Sequence, residues 1–280
     1  MVQVASLGFH AAFDGPVAAR LAAQAPARIV SVGDPVGAGA GADPAAQLLA
    51  ALGAGSCATA ARRERFGAAL PLTVPDFAAG PEWAARPGAL LAEIAEARAM
   101  DLIPRPALLG PVTLLSLAAP EPGGFDPVSR IAALLPAYVA LLGALHRAGA
   151  DWVRIDEPVL GVALTGLQRA AFYTFYDECA RGGPRIMLTG GQGPWGFGPN
   201  AALAFRLPVA GLHLDLTRAG SDLAGALALL RPGRTLSLGA ADPALGLNAA
   251  LAAAAQAARA LGADRVQIAP PRPFADPAQA

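Results

Sequence analysis

Short β-branched or apolar runs alternate along the chain with longer alanine- and leucine-rich segments whose apolar positions recur at helical spacing. This is the pattern of strand–helix units around a parallel sheet. It predicts strands at residues 2–8, 28–32, 107–112, 152–156, 185–189, 211–215, 235–238 and 265–269. Helices are predicted at 16–25, 44–52, 82–100, 127–148, 167–181, 222–230 and 245–261. Eight strands are what a closed barrel needs, and such barrels reach this length as one unit. The expectation is therefore an α/β fold of the (β/α)8 TIM type, one domain over residues 1–280.

Local signals support the boundaries. Asp14, Asp43, Asp126 and Asp242 stand beside prolines or apolar runs, where a carboxylate can cap free helix amides. Gly149 and Gly262 stand where a left-handed residue ends a helix. Residues 53–81 are too long for an ordinary connection and are expected to form a lid or small excursion. Residues 270–280, with four prolines, form a tail that continues neither helix nor central strand. The glycine-rich stretches 37–41 and 189–200 are expected to be flexible loops. Both follow strands and so lie on the face where barrels bind ligands.

Strand alternation selects the candidate chemistry. In WVRIDEP, Trp152, Arg154 and Asp156 share one face, and Val153 and Ile155 the other. In GLHLDL, Gly211, His213 and Asp215 share a face while Leu212 and Leu214 pack outward. Arg154, Asp156, His213 and Asp215 then face the barrel axis, where charges are costly unless paired. Contacts among these four are expected, either as a ligand site or as a pairing network with no ligand. Glu157, just past a strand end, and Thr113, after LLGPV, are placed at the mouth as ligand contacts or as capping residues. His10 and Asp34 follow the first two strands and are weaker candidates. No catalytic residue is assigned.

Composition narrows the classes. The 21 basic and 21 acidic residues cancel, and every basic residue is arginine. This argues against nucleic acid as a partner, since no broad positive field exists. It also excludes Schiff-base chemistry, since there is no lysine amine. Cys57 and Cys179 are far apart and lack metal-site spacing, so neither a disulfide framework nor a metal is expected. His146, before Gly149, suits a helix C-terminus. TGGQGPWG lacks the spacing of a phosphate loop. No basic leader and no run of about 20 uninterrupted apolar residues is evident, so a cytoplasmic protein without membrane contact is expected.

Taken together, RPALLGPVTLLSLA, FDPVSRIAALLPAYVALLGALHRAGADWVRIDEPVL and LPVAGLHLDL resemble the cobalamin-independent methionine synthase family, with SLGF as a weaker echo. The resemblance runs from about residue 105 to 216, and GLHLDL is closer to the family's amino-terminal barrel. It implies tandem barrels, the carboxy-terminal one holding a zinc that activates homocysteine for attack on methyltetrahydrofolate. The ligands implied are an H-x-C strand, a glutamate and a later cysteine. The corresponding strand here is RIMLTGG and the last strand runs into IAPPRP, neither with a ligand, so no cofactor is expected. The aspartate of the family's IDEP motif holds the homocysteine amino group, which carries over to Asp156. The lysine-bearing segments near the folate tail have no counterpart, and residues 33–105 are shortened and rewritten.

The resemblance implies a stand-alone, amino-terminal-type barrel that binds a small amino-acid-like or folate-like ligand and assists methyl transfer with a separate zinc-bearing catalytic chain. A metal-free methyltransferase and a degenerate barrel kept for protein interactions are the alternatives.

Overall fold

The computed structural model describes residues 3–4, 17–24, 28–32, 43–63, 66, 72–78, 80–118, 124–241 and 245–271. Eight strands form one parallel sheet: β1 (Gln3–Val4), β2 (Ile29–Val32), β5 (Ile103–Leu109), β6 (Trp152–Asp156), β7 (Arg185–Thr189), β8 (Gly211–Asp215), β9 (Thr235–Gly239) and β10 (Val266–Ala269). Their order is β1-β10-β9-β8-β7-β6-β5-β2. Among the described residues β1 and β2 are the two ends of this sheet. Helices α1 (Val17–Gln24), α2 (Pro44–Ala51), α3 (Gly88–Ala99), α4 (Pro111–Leu117), α5 (Ile131–Arg147), α6 (Gly166–Cys179), α7 (Ala201–Ala204), α8 (Leu223–Leu229) and α9 (Leu247–Leu261) lie between strands.

The sheet is strongly curled. The Arg105 guanidinium on β5 donates to Gln267 Oε1 on β10 at 2.9 Å. These strands stand five places apart in the sheet order, about 24 Å if the sheet were flat. Only curvature brings them within side-chain reach. The ladders then fix what faces inward: Ala107 pairs with Arg154, Arg154 with Met187, and Asp156 with Thr189. His213 likewise pairs with Ser237, and Ser237 with Gln267. Outward residues such as Val153, Ile155, Leu212 and Leu214 are fully buried under the helices.

Most predicted elements appear within a residue or two, and the differences have local causes. The strand expected at 107–112 is β5, which starts earlier and stops at Leu109, because Gly110 and Pro111 open α4. Thr113 therefore sits in a helical first turn, not in a loop. The helix expected from 82 begins at Gly88. Residues 81–87 have no regular secondary structure, with Ala84 and Arg86 N–H groups bonded to the carbonyls of Leu52 and Ala51. The excursion at 53–81 carries an antiparallel pair, β3 (Ala58–Arg63) and β4 (Leu72–Pro75). Asp14, Asp242, His10, Asp34, the stretch 37–41 and the tail beyond Pro271 lie outside the described residues.

Residues Pro127–Arg147, a 3₁₀ turn leading into α5, are long and apolar enough for a membrane span by length and composition. In the fold their apolar stripe is covered instead. Leu134, Tyr138, Leu141 and Leu145 are fully buried, and the Tyr138 ring meets Phe175 of α6 edge-on at 4.9 Å.

Asp43 is both cap and tie. Its Oδ1 accepts from Ala45 and Ala46 N–H at the start of α2, and its Oδ2 from Thr73 N–H of β4 at 2.6 Å. Asp43→Ala should cost about 2–4 kcal/mol, a capping loss plus a buried charge-assisted bond. Asp43→Asn should cost less than half of that, and urea denaturation of both variants checks the order.

Candidate functional site

The carboxyl ends of β6, β7, β8 and β9 bring the sequence-selected residues to one end of the sheet interior. Arg154 and Asp156 are 1% and 3% exposed. They form a two-pronged pair, Nε to Oδ1 at 2.9 Å and Nη2 to Oδ2 at 2.9 Å. Thr189 Oγ1 donates to the same Oδ1 in a short contact. His213 is 2% exposed and meets Ser237 Oγ at Nδ1 (2.9 Å) and the Pro271 carbonyl at Nε2 (3.0 Å). A carbonyl only accepts, so Nε2 carries the proton and Nδ1 accepts from the serine hydroxyl. Burial pushes the imidazole down to about 4, against the pull of the Pro271 carbonyl and Asp215. His213 is a neutral ring with both nitrogens engaged.

Asp215 takes its partners from the following turn. Oδ1 accepts from the Thr217 N–H and hydroxyl, and Oδ2 from Arg218 Nε at 2.8 Å. The four inward charges expected to contact one another therefore separate into an Arg154–Asp156 pair, an Asp215–Arg218 pair and a neutral histidine. The glycine-rich stretch 189–200 is folded over this end rather than open. Trp195, at φ +56°, bridges to Asp215, its indole donates to the Asp222 carbonyl, and buried Asn200 donates to the carbonyls of Leu160 and Val162.

Glu157 is fully buried and caps α4. Its Oε1 accepts from Val112 N–H at 3.2 Å, and its Oε2 from Thr113 N–H at 2.8 Å and Thr113 Oγ1 at 2.5 Å. Gly110 makes room, since a Cβ there would lie 2.0 Å from the Glu157 carboxyl carbon. Glu157 and Thr113 thus join as one capping unit, the capping alternative of the two. Thr189, Ser237 and Arg218 are partners that the sequence reading left out. Alternation in RIMLT and TLSLG turns Thr189 and Ser237 inward, so the signal was present; Arg218 carries only an i+3 spacing from Asp215.

Among the described residues the family's zinc finds no fit, since no three of His, Cys, Asp and Glu there converge as metal ligands. Both cysteines are buried, Cys57 in a 3₁₀ turn and Cys179 at the end of α6, where burial pushes the thiol up to about 12.

Burial also pushes Glu157 up to about 8, against the pull of its three donors. A folded-state value above the usual carboxyl range means stability present at low pH and lost as pH rises through about 8. Glu157→Gln keeps one acceptor oxygen and does not titrate. In urea denaturation, wild type should lose stability relative to Glu157→Gln between pH 5 and 9, by at most about 1.4 kcal/mol per pH unit. A constant difference would mean that the α4 amides keep Glu157 ionised throughout.

Residues 52–259 match the profile described as "Cobalamin-independent synthase, N-terminal domain". The chain is 45% identical over 170 residues to a 5-methyltetrahydropteroyltriglutamate–homocysteine methyltransferase of Caulobacter vibrioides, covering 60% of this chain and 22% of that protein. It is 44% identical over 203 residues to the enzyme of the same name from Acidiphilium cryptum, covering 70% and 26%. The match thus spans about a quarter of these relatives' length. Among solved structures, a B12-independent methionine synthase from Shewanella sp. W3-18-1 in complex with selenomethionine aligns over 98% of this chain and 92% of that one, with TM-score 0.63 and 14% identity. A methyltransferase from Methanosarcina mazei aligns over 99% and 90%, with TM-score 0.59 and 17% identity. These two share the fold. With a profile match over most of its length, the chain belongs to the cobalamin-independent methionine synthase family, as a protein of the N-terminal-domain type.

Proposed function

We propose that this chain is a closed (β/α)8 barrel of the family's amino-terminal type that binds a small amino-acid-like or folate-like ligand at the carboxyl ends of its strands. It assists methyl transfer performed on a separate chain that carries the zinc ligands. The observation that carries this reading is the polar end of the sheet interior, where Asp156, Thr189, His213 and Asp215 converge from three adjacent strands. Closure between β1 and β2 is supported by the sequence order of the strands around the sheet and by the reach of Arg105 to Gln267. A neighbour of similar length and fold is named as a complex with selenomethionine, which supports an amino-acid-like ligand for one barrel of this size. The methyl donor and acceptor in the relatives' names belong to chains about four times the matched length, which supports a partner for the chemistry.

One observation favours a purely structural barrel. Asp156, Glu157, His213 and Asp215 all have partners within the chain. Calorimetry with homocysteine, methionine and methyltetrahydrofolate, with and without zinc, separates the two readings. Saturable binding of any of the three supports a ligand-binding barrel, and binding of none leaves the interaction-only protein.

In this reading the chain supplies no zinc site, so the purified protein should carry less than stoichiometric zinc in elemental analysis. One tightly held zinc per chain, lost on mutation of Cys57 or Cys179, would overturn that.

Asp156→Asn tests the transferred ammonium role. With Asp156 acting on a ligand, affinity should fall by roughly 1.5–3 kcal/mol with little change in stability. With Asp156 acting chiefly on Arg154, the variant leaves a buried guanidinium without its counter-charge and should lose on the order of 3–5 kcal/mol of folding stability. The paired geometry leads us to expect the stability loss, and a melt alongside the titration reads both.

A further inference from the structure

At the opposite, amino-terminal end of the sheet interior, two cations have no ion-pair partner among the described residues. Arg105 of β5 and Arg185 of β7 stand over the indole of Trp152 on the strand between them, with guanidinium carbons 5.6 and 4.7 Å from the ring centroid. Neither Arg105 nor Arg185 forms an ion pair with another described residue. Arg105 is 3% exposed; one Nη donates to Gln267, while its Nε has no hydrogen-bond partner. Burial, and then the like charges of Arg154 and Arg185, pull its guanidinium down to about 9. Of these like charges Arg154 is paired with Asp156, whereas Arg105 and Arg185 have no ion-pair partner among the described residues.

An orphan donor on a buried guanidinium, beside a second cation of the same sign, is unfavourable unless something supplies negative charge. Solvent reaches this end. Arg185 is exposed and Trp152 is half-buried. The planar forks of arginine match the geometry of phosphate and carboxylate oxygens.

We propose that the amino-terminal mouth of the barrel binds a small dianionic oxyanion of the phosphate or dicarboxylate class, held by Arg185 with Arg105 behind it. The site is distinct from the polar end at the carboxyl termini of the strands, and it does not depend on the function proposed for that end. It also gives the Arg–Trp–Arg stack a role beyond plugging the base of the barrel, the end where barrels usually carry stability rather than binding.

The test is calorimetric titration of the 280-residue chain with inorganic phosphate and with succinate at constant ionic strength, with chloride as the control anion. Saturable heat is expected with phosphate, with succinate or with both, and the arm that responds identifies the class. Arg185→Gln should weaken it about tenfold or more, the loss of a charge-assisted bond. Arg185→Lys should weaken it less, keeping the charge and losing the fork. Because Arg185 is exposed, both variants should melt near wild type without anion. Failure of both anions to saturate, or an Arg185→Gln response equal to wild type, overturns the proposal.

Discussion

The guanidinium of Arg154 and the carboxylate of Asp156 point the same way from one strand into a sheet that curls around them, and neither reaches bulk water. Breaking such a pair costs far more than its net contribution to stability, because one charge would be left in the interior. That asymmetry constrains the neighbouring strands. Ala107 opposite Arg154 leaves space for the long side chain, and Met187 on the other side fills around it without a competing charge. Thr189, in register with Asp156, supplies a further donor to its carboxylate. A sheet with this pair at its centre tolerates few other residues at those positions.

The next residue extends the constraint from the sheet to the helical layer. Glu157 leaves the strand end and places its carboxyl group against the first amides of α4, in space that only a glycine at position 110 provides. LLGPVT and IDEP, more than forty residues apart, are therefore two halves of one contact. The proline at the first helical position needs no partner for its nitrogen, and the glutamate satisfies the two amides that follow. This explains in physical terms why the two segments carry the resemblance together.

The fold was legible because its signal is local. Period-two alternation with buried residues on both faces marks β6 and β8, and Asp43, Asp126, Gly149 and Gly262 mark helix ends. The boundary at Leu109 was misplaced because Pro111 and Val112 extend an apolar run whose helical start is fixed by Glu157, a residue far along the chain. The site was legible in direction but not in partnership. Alternation put Arg154, Asp156, His213 and Asp215 inward, yet which inward residues meet depends on register between strands and on the turns that follow them. His213 found Ser237 and the Pro271 carbonyl, and Asp215 found Arg218, none of which is set by alternation within the strand itself. Arg105 and Gln267 needed curvature, a property of the whole sheet.

The two ends of the interior consequently differ in kind. At the carboxyl ends of the strands Arg154 pairs with Asp156 and Arg218 with Asp215, Glu157 is met by amides and a hydroxyl, and burial keeps His213 neutral with a hydroxyl and a carbonyl on its two nitrogens. A ligand entering there would exchange its own polar groups for contacts already made, so affinity would come from the difference between two satisfied arrangements. At the amino-terminal end, among the described residues, two arginines stand over one indole without an ion pair and one donor is left over. There the Arg105 Nε is the donor left without a partner, so an added acceptor would meet an open position rather than a filled one. The same curled sheet that pairs Arg154 with Asp156 thus sets Arg105 and Arg185 at the opposite mouth, where among the described residues no carboxylate pairs with them and water dipoles or an anion can solvate the charge.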